Sequence, residues 1–201
     1  MSGLLALLDD VAAIAKVAAA SVDDIAGQAA KAGSKAAGAV IDDAAVTPKY
    51  MRGFPAAREL PIVRRIAVGS IRNKLLILLP AALILSAVAP WAITPLLMLG
   101  GAYLCFEGAE KIAHLFHVHE ETKAKVPESL DAAHLEEKRV KGAIKTDFIL
   151  SAEIMTIALA ALPVTGMLQQ GLTLALVAVG ITALVYGAVA LIVKADDAGL
   201  A

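Results

Sequence analysis

The sequence predicts an all-α, multi-pass transmembrane helical protein, with about four spans arranged as two helical hairpins behind an Ala-rich helical cytoplasmic N-terminal arm. Three observations predict it. Hydrophobic residues make up 59% of the 201 residues and mean hydropathy is +0.74, while charged residues reach only 18%, against about 25% in soluble domains. The apolar residues are concentrated in two charge-free blocks, 32 residues from Leu75 to Phe106 and 40 residues from Ile154 to Val193. Lys and Arg gather beside these blocks and are absent from their middles. A net charge of −1 gives no field to attract nucleic acid, and the single Cys105 excludes an internal disulfide.

Residues 1–46 read as an Ala-rich amphipathic helical arm. Met1 to Leu8 lacks the basic start of a signal peptide, and Asp9 and Asp10 cut its apolar run short. A loose repeat places Asp-Asp pairs at Asp9-Asp10, Asp23-Asp24 and Asp42-Asp43. The expected role is a solvated face; a divalent-cation surface is the alternative, without the glycine turn and clustered oxygens of a calcium loop. Gly27, Ala30, Gly33, Ser34, Ala37 and Gly38 recur at three- and four-residue spacing, which suits close helix approach or a weakly helical stretch.

Residues 47–70 form a basic, Pro-containing juxtamembrane segment in which Pro48, Pro55 and Pro61 preclude one continuous helix. Arg52, Arg58, Arg64 and Arg65 suit anionic headgroups, and the lipid bilayer is the expected partner. Arg72 and Lys74 are expected to snorkel to that surface.

Each charge-free block is too long for one crossing of about 30 Å of hydrocarbon and suits two. Breakers near their middles, Pro90 to Pro95 and Gln169-Gln170-Gly171, give spans of 71–89, 93–116, 148–168 and 172–193, with Pro163 as a kink. The hairpins are therefore 71–116 and 148–193, joined by a loop at 117–147 and followed by a tail at 194–201. Seven Lys or Arg residues lie between Lys49 and Lys74, and seven more between Lys111 and Lys145. Basic connections stay in the cytoplasm, so both termini and the middle loop are expected there, with Trp91 at the outer interface.

Polar residues at membrane depth are the candidate site. Glu107, Glu110, Lys111 and His114 follow helical spacing at the end of span two, while Asp147 and Glu153 open span three. Glu107 and Glu153 are expected at comparable depth, where two acids could share a proton or a water-filled cavity, or be neutralised in a structural network. His114, His117 and His119 with Glu120 resemble a metal cluster in residue type. However, 119 leaves the helix face shared by 114 and 117, so no metal site is expected. Gly101, Gly108, Gly180, Ala183 and Gly187 are expected to mediate helix packing. No phosphate loop, dinucleotide fingerprint, nucleophile elbow or zinc-protease motif occurs, so neither catalytic residues nor a cofactor are expected.

Longer matching pieces add a resemblance. Arg58-Glu59-Leu60-Pro61, Gly69-Ser70 with Asn73-Lys74, Ala89-Pro90-Trp91, Pro95 to Gly101, Leu104 to Gly108, Lys141 to Glu153, Tyr186-Gly187 and Val193 to Asp197 carry it. On these the chain resembles the YedI-like family of bacterial inner-membrane proteins, a domain of unknown function. The resemblance implies an integral inner-membrane protein and supplies no activity. It includes Glu107, Glu110, Lys111, His114, Asp147 and Glu153 and leaves out His117 and His119. Family members continue beyond the position of Ala201, so a missing C-terminal part is expected. Two roles follow: ion or small-solute transport through the buried acids, or a membrane scaffold that assembles with itself or another membrane protein through small-residue helix faces.

Overall fold

A computed structural model describes residues 2–50, 56–116, 132–163 and 166–199. All the described secondary structure is helical. Helix α1 (Ser2–Lys35) bends at Ala36 into α2 (Ala37–Val46), which runs into a 3-10 turn at Thr47–Tyr50. Helix α3 (Ala56–Asn73) continues through a π turn, Lys74–Leu78, into α4 (Leu79–Val88). A 3-10 turn at Pro90–Ala92 leads to α5 (Ile93–Phe116), followed by α6 (Ala132–Ala161) and α7 (Met167–Gly199).

Helices α6 and α7 are the antiparallel centre. Helices α1 and α3 each pack on both of them and make no substantial contact with each other, so they cover opposite faces of the central pair. The core follows from this: Ile154 and Ala158 of α6, Leu174, Val185 and Val189 of α7, Ile62 and Ile66 of α3, and Ala32 and Ala36 of the arm belong to one buried apolar cluster. Small residues on α1 let its backbone lie close, which fits the Ala-rich composition. Helix α5 packs on α6 and on the turn before it, and exposes most of its length.

Among the described residues two helical stretches are long and apolar enough to cross a membrane, Arg58–Val88 and Met167–Ala195. The first pair of helices turns where the sequence predicts, at the Pro90 and Trp91 break, with Trp91 exposed. The second turns earlier than predicted. Helix α6 ends at Ala161 before Pro163, and Gln169-Gln170-Gly171 lies within the first turns of α7. Proline cannot donate the next helical hydrogen bond and pushes its predecessor toward an extended backbone. The two glutamines instead tie that end together. Gln170 accepts from the Ser86 hydroxyl at 3.2 Å, and Gln169 Nε2 donates to Asp24 Oδ2 at 2.5 Å.

That last contact fixes the arm. Asp24 lies at the turn end of the bundle, and α2 ends near the opposite end, so α1 and α2 run the length of the central pair. The end of α7 lies at the middle-connection end, and the start of α1 extends about 33 Å past Asp24 on the side of the two turns.

Candidate functional site: a buried ion pair between four helices

Pro80 lies at the start of α4, where its ring would clash with the carbonyl four residues back in a regular helix. The chain widens into the π turn instead, and the Leu79 N–H reaches back five residues to the Lys74 carbonyl. The turn begins at Lys74, whose side chain is only 1% exposed. Lys74 and Asp147 lie at matching distances from their respective turns, about 21 Å along each helix at 1.5 Å per residue. The two helices run in the same direction, with their turns at one end of the bundle, and this parallel packing brings the two residues to one level.

Lys74 Nζ is 3.2 Å from Asp147 Oδ1, and the Asp147 side chain is 2% exposed. Asp147 Oδ1 also accepts from the Ser70 hydroxyl at 2.9 Å and the Tyr186 hydroxyl at 2.8 Å. Its Oδ2 accepts from Ser151 at 3.3 Å. Lys74 donates to the Ser70 hydroxyl, one helical turn earlier on the same face. Asp43, 2% exposed on α2, faces the charges of both Asp147 and Lys74. Helices α2, α3, α6 and α7 thus converge on one polar cluster. Gly69 makes the approach possible: a Cβ there would lie 2.6 Å from Ile144 Cδ1 of α6.

Of the sequence-predicted site residues, Asp147 is central to this cluster. Glu153 is elsewhere, in a half-open apolar groove of about 550 Å³ between α5 and α6, lined by Leu97, Gly100, Tyr103, Phe148 and Thr156. A Cβ on Gly100 would lie 3.5 Å from Glu153 Oε1, so Glu153 is level with Gly100. Glu107 lies two turns further along α5, about 10 Å away, so the two acids do not share a depth. Glu110 is exposed. The side chains of Glu107, Lys111 and His114, the surroundings of Gly108, and Arg52, His117, His119 and Glu120 lie outside the described residues.

Lys74 is corrected most. It is buried instead of snorkelling, because a carboxylate and a hydroxyl await it inside, while Arg72 is exposed. Arg58 and Arg65 form ion pairs with Glu136 at 2.6 and 2.8 Å, joining α3 to α6 near the middle connection. The Arg58 hydrogen bond leads in holding the Glu136 carboxyl below the usual range. Arg64 is exposed and borders a shallow groove with Lys141, Val68 and Ile144. Gly101, Gly180, Ala183 and Gly187 are exposed, and a Cβ on any of the three glycines would meet nothing within 4 Å among the described residues. The Asp pairs also divide: Asp9, Asp10 and Asp23 are exposed, Asp24 accepts from Gln28 and Gln169, and Asp43 is buried.

Sequence reasoning missed Ser70, Ser151, Tyr186 and Asp43. Gly69-Ser70 and Tyr186-Gly187 stood in the resemblance as fragments without a role. Among the described residues no group of three His, Cys, Asp or Glu side chains could hold a metal ion.

The family model described as "Protein of unknown function (DUF808)" matches residues 2–201. The chain belongs to this family. No curated protein and no solved structure matches it. This family assignment covers the arm as well as the apolar helices, so Asp43 lies within the matched region together with Lys74, Asp147 and Tyr186.

Proposed function

We propose that this DUF808 chain is a non-enzymatic, four-span protein of the bacterial inner membrane that carries a proton or small cation through its polar core. The middle connection and C-terminus are cytoplasmic, following the basic residues. In this reading Ser2–Asp24 lies on the opposite side, supported by the contact of Asp24 with Gln169 at the turn end. Arg64 and Lys141 lie at headgroup level, where anionic lipid is favoured.

The Lys74–Asp147 pair is the observation that carries the transport reading. An ion pair removed from water at bilayer depth is costly to maintain, and in membrane proteins such groups line ion and proton paths. Its Ser and Tyr hydroxyls can both donate and accept, as proton transfer requires. Purified protein in liposomes should give proton or monovalent-cation flux under a pH gradient, abolished in Asp147→Asn. Equal flux in that variant and the natural chain sinks the reading.

A scaffold role has its own support. Lys31 and Lys35 are exposed partway along α1, between residues that lie at the two ends of the bundle. At bilayer depth such a face is poorly solvated by lipid, and a second copy would cover it, helped by the exposed Gly27 and Gly38. Native mass spectrometry from detergent would show a dimer or higher species under this reading and a strict monomer against it.

A further inference from the structure

The buried cluster contains two carboxylates, Asp43 and Asp147, and one ammonium, Lys74. Their environments differ. Asp147 accepts hydrogen bonds at both oxygens, three donors converging on Oδ1 and Ser151 on Oδ2, and such bonds favour the charged form. Among the described residues Asp43 Oδ2 is buried without a hydrogen-bond partner. The neighbouring Thr47 hydroxyl donates to the Asp43 backbone carbonyl and not to Oδ2. The charged and titratable groups facing Asp43 are Asp147 from α6, Lys74 from the π turn, Tyr186 from α7 and Asp42 on its own helix. With Lys74 already neutralised by Asp147, an ionised Asp43 would leave one uncompensated negative charge in an apolar site, a strongly unfavourable arrangement.

We propose that Asp43 is the proton-loading residue of this cluster: the docked arm holds one exchangeable proton on Asp43 beside the Lys74–Asp147 pair, and release of that proton loosens α2 from the bundle. The proton leaves from the Asp43 carboxyl to water, and the resulting carboxylate is stabilised only where α2 can become solvated. Loading and arm docking are therefore linked, because the docked state binds a proton that the undocked state gives up. The proposal shares its site with the transport reading and is read by docking instead of flux. A protein with pH-dependent docking and no flux sinks only the transport reading; flux without pH-dependent docking sinks only this one.

Hydrogen–deuterium exchange of the full chain in detergent between pH 5 and 8 tests it, after correction for intrinsic exchange, with an α7 core peptide as reference. Protection of the α2 peptide should fall as pH rises, by up to roughly tenfold per unit over the interval in which Asp43 is protonated when docked and ionised when free. Asp43→Asn, neutral throughout, should keep α2 protected at pH 8, while Asp42→Asn should retain the pH response. Unchanged α2 protection in the natural chain, or an undiminished slope in Asp43→Asn, overturns the proposal. Should Asp43→Asn fail to fold, infrared difference spectra of the natural chain decide the matter: the carboxylic C=O band of one buried acid should disappear between pH 5 and 8, and no such loss overturns it.

Discussion

Lys74 Nζ and Asp147 Oδ1 are 3.2 Å apart, with both side chains almost wholly removed from solvent, although 72 residues separate them in the chain. The pair joins α3 to α6 at the point where α3 widens into its π turn. Removing one member of a buried pair strands the other. Asp147→Ala or Lys74→Ala should therefore lower stability by about 3–5 kcal/mol, whereas replacing both with apolar side chains of similar size should cost much less. Thermal unfolding of the three variants in one detergent checks this; single variants no less stable than the double variant would show that the pair is not coupled.

The glycines separate into two classes with opposite expected responses. Gly69 faces Ile144 so closely that a Cβ would lie 2.6 Å from its Cδ1. Gly69→Val should destabilise the bundle by about 1–3 kcal/mol through overpacking. Gly180→Val, where nothing lies within 4 Å, should leave the isolated chain folded. Any effect of Gly180→Val should be confined to assembly, so unfolding temperature and native mass are measured together.

These glycines also show what the sequence could and could not reveal. Small-residue spacing singled out Gly101, Gly180 and Gly187, because spacing identifies a face and says nothing of which partner meets it. The turn at Pro90 and Trp91 was legible, since two prolines within an apolar block have few other uses. The second turn was misplaced because Gln169 and Gln170 look like loop residues. Their polarity is satisfied by Asp24 and Ser86, partners that are distant in sequence. Local sequence points Lys74 to the surface, because snorkelling is the default for an unpaired lysine near a span end. Its equal distance with Asp147 from their respective turns was present in the sequence, but it becomes usable only once α6 is known to end before Pro163. Asp43 was one of three similar Asp pairs, and nothing local distinguishes the buried one.

Glu136 provides a pH dependence of definite sign. Arg58 and Arg65 hold its carboxyl below the ordinary glutamate range. A depressed folded value means that this contribution to stability is present above the unfolded pKa and is lost as pH falls through the folded one. The natural chain should thus lose stability below about pH 4.5 more steeply than Glu136→Gln. Both arginine side chains are more than half exposed, so added salt should shrink the difference. Unfolding curves at two ionic strengths across pH 3 to 6 would show it, and identical acid limbs for the two proteins would remove Glu136 from the linkage.

The arm makes the topology testable in a way the apolar helices alone do not. Asp24 reaches Gln169 at the turn end, and Asp43 faces Lys74 and Asp147 toward the other. The 19 residue steps from one to the other cover about 28 Å as helix, close to the thickness of the hydrocarbon core of about 30 Å. An arm packed this way in a bilayer must have its first residues on the side of the two turns. Cysteine accessibility in a Cys105→Ser background would report it: Ser2→Cys and Gln169→Cys should label from the same side of the membrane, and Lys138→Cys from the other. Labelling of Ser2→Cys together with Lys138→Cys would mean that the arm does not dock along the bundle in the membrane. Asp43 would then be solvated and absent from the ion-pair cluster.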